Sequence, residues 1–260
     1  MNNKLSKIEV LLAVLHKVRG GCPWDIKQTM DSLKPLTIEE CYELVDAVND
    51  HDTDHIKEEL GDLLMHIFFY AEIAEEQKNF DIGDVAQAIS EKLIRRHPHI
   101  FSDVTVHDES DVARNWEKIK IEEKRRKGTN EGVLSGVPSS LPPMIKAIRI
   151  QHKAAGVGFD WEDKEDIWSK LSEEIAESRD AVKRGLQEDI EEEFGDMLFT
   201  IINLSRAYGV DPDNALERCN RKFINRFGHI EKGLIKRNKQ FADATIQEME
   251  ELWCEAKKTK

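Results

Sequence analysis

The chain has 260 residues, a formal net charge of −13 and charged side chains at 34% of positions. That balance argues against general nucleic-acid binding, whose affinity comes mainly from Lys and Arg on phosphates, and the one dense basic cluster, KRRK at 124–127, reads as a solvated helix end. The N-terminal VLLAVL is too short, and too soon interrupted by His16, Lys17 and Arg19, to be a signal peptide or a membrane span, and the four cysteines have no C-x-x-C spacing, so a cytoplasmic chain without a disulfide framework or zinc site is expected.

Apolar periodicity is helical nearly throughout. In the first half it predicts helices over 4–19, 37–49, 53–78, 82–97 and 109–127, with Thr37 and Glu40 as a capping pair for the second of them. In the second half it predicts helices over 142–155, 164–184, 188–208, 212–238 and 245–258. The longest alternating run is the short FSDVTVH at 101–107, too little for a sheet, so the expected class is all-α, two tandem helical bundles. Between them lies the one stretch rich in Gly, Pro and Ser, which sets the expected domains at 1–127 and 142–260 with a linker at 128–141.

The two halves are copies. Glu40, Glu43, Glu59 and Asp62 in the first recur as Glu174, Glu177, Glu193 and Asp196 in the second, each displaced by 134 residues. Residues three apart share a helical face, so each quartet is two pairs on two helices joined by a short polar turn, NDHDTDH or KRGLQED. Antiparallel packing would bring four carboxylates together, where they repel unless a cation intervenes. An all-oxygen donor set suits a hard ion, Mg²⁺ or Mn²⁺.

The repeat continues past the acids. SEKLIRRHPHI from Ser90 parallels NRKFINRFGHI from Asn220, aligning Lys92 with Lys222 and Arg96 with Arg226, and Trp116 with Lys120 parallels Trp253 with Lys257. Each set offers two cations four apart on a helical face, for charge-assisted bonds to phosphate, and a tryptophan plane for stacking. His97-Pro98 should end the basic helix of the first copy, whereas Phe227-Gly228 lets the second continue, which favours the C-terminal site. No Walker-type glycine loop is present, so phosphate must be gripped through metal and side chains, and no Glu-x-x-His pair supports a di-iron bundle.

The duplicated E-E-x-x-E…E-x-x-D pattern, GCPWD at 21–25, RRHPHIF at 95–101 and the tandem organisation together resemble the MazG family of nucleoside triphosphate pyrophosphohydrolases, over essentially the whole chain. The resemblance implies an all-α NTP pyrophosphatase fold that commonly forms a homodimer. It implies hydrolysis of NTPs and dNTPs between the α- and β-phosphates to a nucleoside monophosphate and pyrophosphate. It also implies that Glu174, Glu177, Glu193 and Asp196 hold Mg²⁺, with Lys222, Arg226, Trp253 and Lys257 toward the nucleotide and Lys170, Glu173, Asp189 and Glu192 bordering the same pocket. Glu173 and Glu192 are candidate general bases by position. The competing expectation is a non-catalytic nucleotide-binding regulator or helical interaction module, at least for one half.

Overall fold

A computed structural model describes residues 3–108, 111, 112, 115, 116, 119, 120, 122, 123 and 132–258. These residues contain α-helices and short 3-10 turns and no strand, and no helix among them is long and apolar enough to cross a membrane. The chain divides into two compact units, Met1–Val106 and His107–Lys260.

The first unit consists of α1 (Asn3–Gly21), α2 (Met30–Asn49), α3 (Thr53–Glu76), α4 (Ile82–Arg96) and the single turn α5 (Pro98–Phe101). Thr29 caps α2 in a reciprocal box with Ser32, so the helix begins one and a half turns or more before the expected Thr37. Thr37 is not a cap. Its hydroxyl donates to the Leu33 carbonyl at 2.9 Å and lies within hydrogen-bond reach of His66 Nδ1 (2.7 Å) and Tyr70 Oη (2.9 Å), tying α2 to α3. Pro35 is accommodated inside α2. Asp52 and Asp81 cap α3 and α4, and α4 stops before Pro98 as expected. Leu15, Leu33, Phe68, Phe69 and Ile73 form the core, and α1 is fastened to α3 by His16 against Glu72 and by Arg19 donating to Glu76 at 2.8 Å.

The second unit contains a 3-10 turn (Val133–Gly136), α6 (Pro143–Ala155), α7 (Lys164–Arg184), α8 (Gln187–Ala207), α9 (Pro212–Lys236), a 3-10 turn (Phe241–Asp243) and α10 (Ile246–Lys258). These five helices match the expected ranges to within two residues. The tight turn between α7 and α8 depends on Gly185, whose φ of 77° lies in the left-handed region open to glycine. α9 runs unbroken through Phe227-Gly228 and packs on α10 around Ile230, Leu234 and Leu252. The FSDVTVH run forms no strand; Phe101 ends α5, and the Ser102 N–H donates to the Pro98 carbonyl at 2.8 Å. The expected helix at 109–127 lies partly outside the described residues, and the KRRK cluster and positions 128–131 of the linker lie wholly outside them.

Candidate metal and nucleotide site

In the second unit the α7–α8 hairpin carries the acidic set. α7 presents Lys170, Glu173, Glu174 and Glu177, and α8 presents Asp189, Glu192, Glu193 and Asp196. Glu174, Glu177 and Glu193 each offer a carboxylate oxygen within 4.8 Å of the others. Asp196 falls outside that trio, but its charge bears on Glu193, whose carboxyl is held above the ordinary glutamate range by desolvation first and then by Glu177, Glu174 and Asp196. Glu174 is buried, 4% exposed, and Lys170 Nζ lies 2.8 Å from both Glu174 Oε1 and Glu173 Oε1, bonds that raise the lysine's pKa. Asp189 accepts from Arg184 Nε at 3.2 Å. Glu192 is exposed, and no hydrogen bond or ion pair engages it among the described residues.

The first unit repeats the trio with a different supporting set. Glu40 and Glu43 on α2 and Glu59 on α3 bring carboxylate oxygens within 4.8 Å, with Asp62 on the same α3 face. Here the buried member is Glu59, 5% exposed; its Oε1 meets His55 Nε2 at 2.8 Å and its Oε2 is buried without a partner. Glu40 is raised by burial and then by Asp62, Glu43 and Glu59. The supporting side chains do not correspond between copies: Lys170 aligns with Leu36, and His55 aligns with Asp189. Carboxylates that raise one another's pKa, together with an orphaned buried oxygen, form a donor set that fits a hard divalent cation.

The cationic groups gather elsewhere in the second unit, between α9 and α10. Lys222, Arg226 and Lys257 line one pocket of about 580 Å³, and the Arg226 guanidinium lies 5.5 Å from the centre of the Trp253 ring. Phe223 braces the same indole at 5.1 Å, and Trp253 packs on the Ile230/Leu234/Leu252 cluster. Arg218, Arg221 and His229 also line this pocket and were not anticipated, although the spacing 218, 222, 226 and 229 marks one helical face in the sequence. No hydrogen bond or ion pair joins Lys222, Arg226 or Lys257 to the carboxylate trio. In the first copy, Lys92 and Arg96 stand on α4 of the first unit, while Trp116 and Lys120 belong to the second unit, with the lysine ammonium 5.4 Å from the Trp116 ring centre.

Paired helices presenting a carboxylate trio in each half define a tandem all-α protein built around two acidic clusters. The family model described as the MazG nucleotide pyrophosphohydrolase domain matches twice, over residues 28–101 and 162–230, taking in both quartets. The chain is 42% identical over 251 residues to the nucleoside triphosphate pyrophosphohydrolase/pyrophosphatase MazG of Thermotoga maritima, covering 96% of this chain and 95% of that protein. It is 39% identical over 259 residues to the nucleoside triphosphate pyrophosphohydrolase of Escherichia coli, covering 98% of each, and 48% identical over 251 residues to the uncharacterized protein YabN of Bacillus subtilis, covering 95% of this chain and 51% of that one. The chain therefore belongs to the MazG family of nucleotide pyrophosphohydrolases.

Proposed function

We propose that this nucleoside triphosphate pyrophosphohydrolase works with Mg²⁺, Mn²⁺ substituting, and hydrolyses NTPs and dNTPs between the α- and β-phosphates, chiefly through its C-terminal half. Its class as a pyrophosphohydrolase follows from the family and from full-length relatives of that name. The observation that carries the finer reading is the trio Glu174, Glu177 and Glu193, with oxygens within 4.8 Å, in the same unit as the Lys222/Arg226/Lys257 pocket, whose Arg226 lies over the Trp253 ring.

In this reading Glu174, Glu177, Glu193 and Asp196 hold the cation, which when bound neutralises phosphate oxygens and lowers the pKa of a coordinated water. Lys170 fixes the buried Glu174 carboxylate and occupies Glu173 as well. Glu192, free of such a bond, is then the better candidate to accept the proton of the attacking water, with Glu173 as the alternative. Lys222, Arg226 and Lys257 bind the phosphate chain and Trp253 the nucleoside, while Asp189, bonded to Arg184, borders the acidic face.

The corresponding reading for the first half assigns the cation to Glu40, Glu43, Glu59 and Asp62, and nucleotide contacts to Lys92, Arg96, Trp116 and Lys120. The domains of this reading are 1–127 and 142–260 with a linker at 128–141, bounds that follow the sequence repeat and not the compact unit that ends at Val106. Exposed apolar side chains on the α7–α8 hairpin, Ile175, Val182, Phe194 and Leu198, support a homodimer, and the acidic charge supports an enzyme that does not bind nucleic acid or anionic membranes; the reading places it in the cytoplasm. Product analysis tests the cleavage position: nucleoside monophosphate with pyrophosphate is expected, and release of orthophosphate overturns it. Turnover in ¹⁸O-water then identifies the attacked atom, with label in the monophosphate expected for attack at the α-phosphorus and label in pyrophosphate showing attack at the β-phosphorus instead. A first half that binds Mg²⁺ and nucleotide without turnover would support the regulator reading for that half alone.

A further inference from the structure

The pocket between α9 and α10 carries more positive charge than the repeat accounts for. The duplication aligns Lys222 with Lys92 and Arg226 with Arg96, but it aligns Arg218 with Ala88 and Arg221 with Glu91, so these two arginines belong to the second copy alone. Arg221 is engaged by Glu217, whose Oε1 accepts from its Nε at 3.0 Å, and His229 faces Glu255 at 3.7 Å. Among the described residues, Arg218, Lys222, Arg226 and Lys257 meet no carboxylate within ion-pair distance, and no carboxylate lines the pocket.

Like charges gathered around one cavity repel, and a multiply charged anion relieves that repulsion. The shape of the anion follows from the helix. Arg226, Lys222 and Arg218 succeed one another at intervals of four residues, a row on one face with a rise of about 6 Å per step. The Arg226 end is marked by Trp253, whose ring centre lies 5.5 Å from the guanidinium, and Arg218 stands at the far end, about 12 Å further along the axis. A row of cations on successive turns matches a linear anion.

We propose that the C-terminal site also takes nucleoside 5′-tetraphosphates, with Arg218 bonding the terminal phosphate. The inference rests on the reading above, in which Trp253 holds the nucleoside and Lys222, Arg226 and Lys257 hold the phosphate chain. A chain that starts at Trp253 meets Arg226 first, Lys222 one turn on and Arg218 after a further turn. The Lys222/Arg226 pair is common to both copies and serves the triphosphate, and Arg218 extends the row for the added phosphate. The reaction keeps its form. The oxygen of water bonds to the α-phosphorus, the bond from that phosphorus to the α–β bridging oxygen breaks, and inorganic triphosphate leaves with the electron pair. The proton of the water passes to the carboxylate base and on to solvent, so the products are nucleoside monophosphate and triphosphate.

Steady-state hydrolysis of adenosine 5′-tetraphosphate and of ATP by the full-length protein in Mg²⁺, with products separated by ion exchange, tests this. AMP with inorganic triphosphate is expected from the tetraphosphate, at a kcat/KM no lower than that for ATP. Arg218→Ala, a change at an exposed position, should lower the tetraphosphate-to-ATP ratio of kcat/KM by about tenfold or more, chiefly through KM, and Arg218→Lys should restore it to within about threefold. Isothermal titration without Mg²⁺ needs no turnover: inorganic triphosphate should bind about tenfold more tightly than pyrophosphate, an advantage lost in Arg218→Ala. An ATP that does not yield AMP and pyrophosphate refutes the reading above and this inference with it. Normal ATP hydrolysis beside an inert tetraphosphate, a ratio unchanged in Arg218→Ala, or equal titrations of the two inorganic anions overturns this inference alone.

Discussion

Gly233 sets how closely α10 lies on α9. A Cβ at this position would fall 2.9 Å from Leu252 Cδ1 and 3.2 Å from Leu252 Cγ, with Cδ2 closer still, and Leu252 is only 3% exposed. Gly233→Ala gains about 1 kcal/mol of helix propensity but overpacks the contact, at a cost of about 1–3 kcal/mol. The net is a loss of up to about 2 kcal/mol, or a melting point lower by up to roughly 8 °C for a unit of this size. Restoring ordinary contact requires α10 to retreat by roughly 0.5–1 Å, and α10 carries Trp253 and Lys257, so kcat/KM for an NTP should fall by about a decade with most of the change in KM. Leu252→Ala alone should cost about 2–5 kcal/mol, and it vacates the space the new methyl needs, so the double variant should be less destabilised than the sum by about 0.5–3 kcal/mol. Thermal melts and steady-state kinetics on the four proteins check this. An unchanged melting point and KM in Gly233→Ala, or strict additivity in the double variant, would refute the close-approach argument.

Glu193→Gln and Asp196→Asn should remove most Mg²⁺-dependent turnover while circular dichroism stays wild type, and unchanged turnover at saturating Mg²⁺ would dismiss the cation reading. Lys222→Ala and Arg226→Ala should each lower kcat/KM by one to two decades, from about 1.5–3 kcal/mol per charge-assisted contact, whereas wild-type kinetics would return them to a solvated face. Because Glu40 and Glu193 are raised, the folded apo protein binds protons there more tightly than the unfolded chain, so protons compete with the cation. The apparent Mg²⁺ affinity should therefore fall as pH falls through their raised pKa values, and a pH-independent Mg²⁺ titration would contradict this. Asp160 is depressed chiefly by the Arg206 hydrogen bond, so its pair contributes stability above the ordinary aspartate pKa that is lost as pH falls through the depressed value; Arg206→Met should flatten that part of an acid melt. Fragments 1–127 and 140–260, assayed for pyrophosphate release, should find activity in the second; activity in 1–127 alone, or only in the intact chain, would reverse the preference for the C-terminal half.

The all-α class, the helices of the second half and the two acidic trios were legible in the residues alone, because 3.6-residue periodicity and a four-point spacing repeated at 134 positions are local properties of a helix. The start of α2 was not. Both Thr29 with Ser32 and Thr37 with Glu40 carry cap chemistry, and only the packing of Thr37 against His66 and Tyr70 decides between them. Nor could spacing say which glutamate of each trio is buried, Glu59 in one copy and Glu174 in the other, since burial depends on what crosses the helix pair and not on register along it. Arg218, Arg221 and His229 share the legible face of Lys222 and Arg226, yet only the approach of α10 turns that face into a pocket. Sequence determined which side chains share a helical face; tertiary packing decided which faces meet, how closely, and which carboxylates and cations are thereby desolvated.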